Sequence, residues 1–259
     1  MSPEYLLIIA AGFFAAVMNS VAGGGTMLSF PALLAAGLPP VLANTTNSVA
    51  LFFGMPGSVW AFRRRLFEVR HWILPLGIVS FFAGLLGAVL LLAIPSEVFD
   101  FLVPWLLLFA TALFLIQGRV QRSLKRRRQV AQDTGTPLRP TVRGVVIQFF
   151  VSLYGGFFGA GIGIMMLAGL GMLGLRDIHQ MNALKALLAM LTKLSAVVYF
   201  IVMMQVNWPL ALCLLGGSIP GYYFGSHFAQ RIPAVWVRAI VVAIGLGIAL
   251  HLLWQRYSG

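Results

Sequence analysis

Long apolar runs, separated by short polar or glycine-rich breaks, set the pattern of this chain. A spanning helix needs about 20 mainly apolar residues, and six stretches meet that length: residues 43–62, 72–94, 98–117, 181–204, 208–229 and 235–254. Two further regions, 5–36 and 142–173, are longer than one span and carry glycine interruptions. In the first the break is Gly23-Gly24-Gly25; in the second it is spread over Gly155, Gly156, Gly159, Gly161 and Gly163. Non-helical backbone at membrane depth is tolerated only where protein buries it or where it lines a cavity. The pattern therefore predicts an all-α polytopic membrane protein whose two breaks are glycine-broken or re-entrant helices.

The second half of the chain echoes the first. At a constant offset of 137 residues Gly24 falls on Gly161, Leu33 on Leu170, Gly37-Leu38 on Gly174-Leu175 and Thr45 on Asn182. Ser80, Gly84 and Ala88 fall on Gly217, Gly221 and Gly225, two sets of small residues at the i, i+4, i+8 spacing that lets membrane helices approach closely. The expected organisation is a duplication: a first transmembrane repeat over 1–118, a basic cytoplasmic linker over 119–141 and a second transmembrane repeat over 142–259. Paired interruptions at corresponding positions of two halves point to a transporter's binding site.

Charge adds orientation. The formal net charge is +12, yet only 9% of residues are charged, 60% are hydrophobic and the mean hydropathy is +0.93. The basic residues collect between spans, at Arg63, Arg64, Arg65 and Arg70 and again from Arg119 to Arg143. Such loops mark the cytoplasmic side and meet anionic lipid headgroups; they do not indicate nucleic-acid binding. If each broken region turns back as a hairpin, each half crosses three times, the halves are inverted repeats, and Arg176, Arg231 and Arg238 lie inside. If it crosses, those arginines lie outside, so the positive-inside rule favours inversion. The start Met-Ser-Pro-Glu lacks the basic n-region of a cleaved signal, and the first segment is expected to stay.

The chemistry on offer is that of anion binding. A broken helix exposes backbone N–H groups at a half-helix N-terminus, where the dipole also favours negative charge. Asn19, Ser20 and Thr26 flank the first break, and Asn44, Thr45, Thr46, Asn47 and Ser48 follow it; Gln148, Asn182 and Ser195 lie in the other half. Lys185 and Lys193 share one predicted helix, rotated by about 80° from each other. Lys193 falls near the middle of its span, where a charge costs roughly 3 kcal/mol or more and is a site candidate by default. Lys185 lies nearer the end and can instead snorkel to the interface. The candidate substrate-binding set is thus Asn19, Ser20, Gly23, Gly24, Gly25, Thr26, Asn44, Thr45, Asn47, Gly159, Gly161, Gly163, Asn182, Lys185 and Lys193. Cys213 is the single cysteine, His71, His179, His227 and His251 show no metal-ligand spacing, and no Walker A, GxSxG or HExxH motif occurs. No cofactor, metal or enzymatic activity is expected.

The run Asn19-Ser20-Val21-Ala22-Gly23-Gly24-Gly25, then Pro31 and Gly37-Leu38-Pro39-Pro40-Val41-Leu42-Ala43-Asn44-Thr45, resembles the TauE/SafE family of sulfite and organosulfonate exporters. The second copy, Gly155 to Gly163 and then Gly174-Leu175 to Asn182, looks like the same family, although Gln180-Met181-Asn182 departs from its alanine-threonine pattern. The resemblance implies a multi-pass permease of the bacterial inner membrane that carries a small, mostly sulfur-containing anion. The expected function is a secondary transporter exporting such an anion by alternating access; the alternatives are an anion channel, or an uptake permease for small carboxylates or sulfur oxyanions. An inside-negative potential drives an anion outward by about 2.3 kcal/mol per charge per 100 mV, so export needs no ATP-binding domain.

Overall fold

The computed structural model describes residues 3–21, 24–130, 142–173, 175, 177–228 and 234–258. Among these the secondary structure is helical throughout: α1 (Pro3–Val21), α2 (Thr26–Ala35), α3 (Pro40–Phe52), α4 (Met55–Ala61), α5 (Arg63–Glu68), α6 (Arg70–Ala93), α7 (Ser96–Val130), α8 (Val142–Phe157), α9 (Ile162–Met172), α10 (Ile178–Val202), α11 (Trp208–Phe228) and α12 (Ala234–Ser258). Arg70–Ala93, Ser96–Val120 and Ile178–Val202 are each long and apolar enough to cross a membrane, and shorter apolar helices accompany them. Large apolar side chains such as Leu7, Phe14, Leu74, Phe82, Phe150 and Leu212 stand exposed on the outside. In water such a surface would be an aggregation liability; in a bilayer it is the lipid-facing side. The protein is an all-α, multi-spanning membrane protein.

The two longest helix contacts are α1 against α11 and α6 against α8. Small residues make both possible. A Cβ on Gly156 would strike the Gly84 carbonyl, one on Gly87 the Leu153 carbonyl, and one on Gly217 the Ile9 carbonyl; Gly84 in turn lets α10 approach α6, since a Cβ there would strike the Thr192 carbonyl. Backbones this close gain van der Waals contact, which drives helix association where water-driven burial is absent. Helices α7 and α12 pack together, as do α3 and α10.

Each glycine-broken region continues into a hairpin. Helix α2 ends at Gly37 (φ 83°), where Leu38 N–H bonds Leu33 O at 3.2 Å and Gly37 N–H bonds Leu34 O at 2.9 Å. This left-handed glycine cap needs no Cβ and satisfies the last carbonyls. Leu175 N–H bonds Leu170 O at 3.3 Å after α9, the same closure 137 residues later. Pro40 then opens α3 at its first position, where its missing N–H costs nothing. Asp177 opens α10, accepting from His179 N–H at 2.9 Å.

Residues 43–62 differ from the single helix expected. They divide into α3 and α4 around Phe53-Gly54, where a Cβ on Gly54 would enter the Tyr222 ring. Pro56 gives the local reason, since it has no N–H to bond Phe52 O and its ring opposes a continuous helix there, and the bare Gly54 then lets the Tyr222 ring of α11 approach. At the basic segments the chain stays helical: Arg63–Glu68 forms α5, and α7 continues past Gln117 through Arg119 to Val130. Arg, Lys and Gln are good helix formers once the apolar run ends. The remainder of that connection, 131–141, lies outside the described residues.

Candidate functional site

Helix α3 carries the polar side chains that tie the two breaks together. Asn44, Asn47 and Ser48 stand at i, i+3 and i+4, and so share one face. All three are buried. Asn44 Nδ2 donates to Phe157 O at 2.9 Å, at the last residue of α8. Ser29 Oγ on α2 lies 2.5 Å from Asn47 Oδ1 and 3.0 Å from Gly25 O. A hydroxyl has one proton, so both contacts are met together only with the Asn47 amide turned to present its nitrogen. Ser48 Oγ accepts from Lys193 Nζ on α10 at 3.1 Å.

Lys193 is only 6% exposed. Its ammonium lies against the second break, where a Cβ on Gly159 would sit 2.6 Å from Nζ and 3.0 Å from Cε. Gly159 and Gly161 hold φ of 82° and 77°, a left-handed backbone open to glycine at little cost. Helix α9 starts at once behind them, with Ile164 N–H bonded to Gly161 O at 2.9 Å. The first N–H groups of a helix have no intrahelical acceptor, and its dipole makes that end positive. Lys193 and the start of α9 therefore put two sources of positive potential at one buried place. Among the described residues the ion pair is Arg65 with Glu68 at the surface, and no carboxylate lies within ion-pair reach of Lys193.

The first break is closed differently. Gly24 is left-handed too, at φ 101°. Gly25 N–H, at the mouth of α2, donates to Asn19 Oδ1 at 2.7 Å, while Asn19 Nδ2 reaches Tyr222 Oη at 3.2 Å. Asn19 thus links the mouth of α2 to α11 through its two amide bonds. Gly156 stands 137 positions after Asn19, so the second break lacks this cap. There Tyr154 Oη donates to Ala160 O at 2.7 Å and fixes the loop from its carbonyl side. Phe114 of α7 packs beneath both breaks: a Cβ on Gly24 would enter its ring, and one on Gly161 would come within 3.8 Å of it.

The other expected residues lie apart from this centre or beyond description. Lys185 Nζ donates to Asn182 Oδ1 at 3.1 Å, and its Cδ runs beside Gly163 at 3.5 Å from a built Cβ. That pair sits eight residues, or about 12 Å along α10, from Lys193. Thr45 Oγ1 turns back onto Leu42 O of its own helix at 3.0 Å, and Thr26 is the half-buried first residue of α2. Gly23 and the side chain of Ser20 lie outside the described residues. Sequence reasoning passed over Ser29, Tyr154 and Phe114. Ser29 had a signal, a hydroxyl one turn after the glycine triplet; the two aromatics had none, since a ring in an apolar run reads as core or lipid-facing. A second buried chain runs from Ser80 through Gln148 and Ser152 to Thr192, with links of 2.8, 2.9 and 3.2 Å, and ties α6, α8 and α10 together beside Lys193. Among the described residues no three His, Cys, Asp or Glu side chains gather to hold a metal.

Known proteins place this architecture among transporters. A "Probable membrane transporter protein" of Haemophilus influenzae is 25% identical over 96% of this chain and 94% of its own length. "Probable membrane transporter protein ORF9" of a Sinorhizobium species is 27% identical over 95% and 91%, and the "Probable membrane transporter protein YfcA" of Escherichia coli K12 is 25% identical over 97% and 92%. No solved structure matches the chain. The profile described as "Sulfite exporter TauE/SafE" matches residues 8–252, nearly the whole length, and the chain belongs to the TauE/SafE family of membrane transporters.

Proposed function

We propose that the protein is a secondary transporter that exports a small sulfur-containing anion, sulfite or an organosulfonate, across the bacterial inner membrane by alternating access. The anion binds where the α8–α9 break meets α3 and α10. Lys193 supplies the countercharge, Gly159 and Gly161 let the substrate approach the backbone at the start of α9, and Ser48 and Asn44 hold the surrounding polar shell. One observation carries this reading: a buried ammonium bonded to a single hydroxyl, at a helix N-terminus, without a carboxylate in reach among the described residues. A charge so placed is costly unless it is compensated, and an anionic substrate compensates it. Lys185 with Asn182 forms a second station on α10 along the path.

The chain is two inverted repeats, 1–118 and 142–259, joined by a basic cytoplasmic connection. Support comes from the 137-residue offset. It carries α2 onto α9, α3–α4 onto α10, left-handed Gly24 onto left-handed Gly161, and the closure after α2 onto that after α9. It also exchanges the pair α1–α11 for the pair α8–α6, as a two-fold relation requires. The site itself is asymmetric, because a side chain, Asn19, takes the Gly25 N–H at the first break, whereas at the second the corresponding Ile162 N–H bonds the backbone Gly159 O at 3.3 Å.

Titration of purified protein with methanesulfonate tests the reading. Binding that falls by about tenfold or more in Lys193→Met, a loss of some 1.4 kcal/mol, is expected. Equal affinity in the variant refutes the site.

A further inference from the structure

We infer that Asn44 is a specificity residue whose amide oxygen selects anions that carry their own hydrogen-bond donor: a sulfonate or sulfite monoanion bearing an O–H or N–H group. The inference rests on the anion site proposed above and narrows its substrate class.

The orientation of the Asn44 amide is fixed by its neighbour. The Phe157 carbonyl can only accept, so Asn44 turns Nδ2 towards it, 2.9 Å away, and Oδ1 is the end left over. That oxygen is buried, in a residue 1% exposed, and no donor among the described residues reaches it. Its companion on the same face, Asn47, is engaged by Ser29, and Ser48 by Lys193. Oδ1 therefore stands out as an unspent acceptor within the polar face of α3. Two neighbours tie Asn44 to the anion site: Ser48, which bonds Lys193, lies one turn further along α3, and Phe157, which bonds Asn44 Nδ2, lies two residues before Gly159, whose Cβ position is 2.6 Å from Lys193 Nζ.

The electrostatics then divide the ligands. Lys193 and the start of α9 attract any oxyanion. An amide oxygen on the same polar face repels bare oxyanion oxygens and stays a buried acceptor unmet, a penalty that a ligand without a donor cannot remove. A ligand with a hydroxyl or amino group turns the same oxygen into an attractive contact. Sites built to bond a substrate hydroxyl reject the analogue lacking it far better than apolar pockets discriminate by size. Hydrogen sulfite and hydroxy- or aminoalkanesulfonates meet the requirement; simple alkanesulfonates do not.

The test pairs two monoanions of nearly equal size, 2-hydroxyethanesulfonate and ethanesulfonate, titrated as sodium salts against the purified full chain by calorimetry. Wild type is expected to favour the hydroxyl compound by about tenfold or more. Asn44→Ala brings that ratio close to one, and the ratio is the readout, since loss of the Nδ2 bond to Phe157 O lowers both affinities together. Equal wild-type affinities overturn the inference and leave the anion site standing, because the acceptor is then met by something other than the ligand. A ratio that persists in Asn44→Ala overturns it as well. Failure of wild type to bind either compound refutes the anion site itself, and the inference with it. Should Asn44→Ala not fold, the wild-type ratio decides alone.

Discussion

Replacing Gly159 by alanine puts a methyl group at the most constrained point of the second break. Two costs follow from the geometry. The residue sits at φ 82°, where an L side chain costs about 1–2 kcal/mol. The new Cβ would also lie 2.6 Å from Lys193 Nζ and 2.7 Å from Gly155 O. The lysine end can retreat, but it then gives up its bond to Ser48, a charge-assisted contact of about 1.5–3 kcal/mol. A total near 3 kcal/mol is expected, with anion affinity reduced at least about tenfold because the displaced ammonium no longer faces the break. Gly163→Ala is the control. Its Cβ meets Lys185 Cδ at an ordinary 3.5 Å in the first turn of α9, and alanine there gains up to about 1 kcal/mol of helix preference. Thermal melts and methanesulfonate titrations of both variants in detergent make the comparison. If Gly159→Ala melts and binds like Gly163→Ala, the left-handed backbone and its contact with Lys193 have no bearing on stability or on the site.

The difference between the breaks is testable at Asn19: Asn19→Leu removes the acceptor of the Gly25 N–H and should cost about 1–3 kcal/mol of stability, while methanesulfonate affinity stays at the wild-type value. A large affinity loss without a stability loss would instead place Asn19 in contact with substrate. Inversion of the repeats predicts an external C-terminus, since Arg176, Arg231 and Arg238 then lie inside with the other basic residues. A C-terminal fusion reporter active only in the cytoplasm should therefore be silent, and an active one rules inversion out.

Much of the architecture was legible because membrane folds write it in one dimension. Apolar length located α6, α7, α10 and α11, and left-handed glycines mark the breaks at Gly24 and Gly161 because few other residues adopt that backbone. Gly84 and Gly217 were readable as close-approach positions from their spacing alone. The split of α3 from α4 was passed over although Gly54 and Pro56 carry it, because the length of the apolar run masked them; only the Tyr222 ring of α11 against Gly54, 168 residues away, was hidden. At the site, the burial cost of a mid-span charge singled out Lys193, and crowding singled out Asn44 and Asn47. The partner of each polar group stayed hidden, because Asn19, Thr45 and Asn47 look alike in sequence. Their roles differ only once the fold gives Asn19 to Gly25, Thr45 to its own helix and Asn47 to Ser29. The weight of Phe114 was hidden for the same reason, as its contact with both breaks depends on how α7 packs.

Electrogenic flux tests the central claim most directly. Proteoliposomes loaded with radiolabelled 2-hydroxyethanesulfonate are clamped with a potassium gradient and valinomycin, inside negative, and efflux is followed for wild type and Lys193→Met. The account predicts saturable wild-type efflux, accelerated as the inside becomes more negative, and efflux in Lys193→Met reduced at least about tenfold, in step with its loss of affinity. Efflux that ignores the potential, or that is unchanged without the Lys193 ammonium, would contradict it.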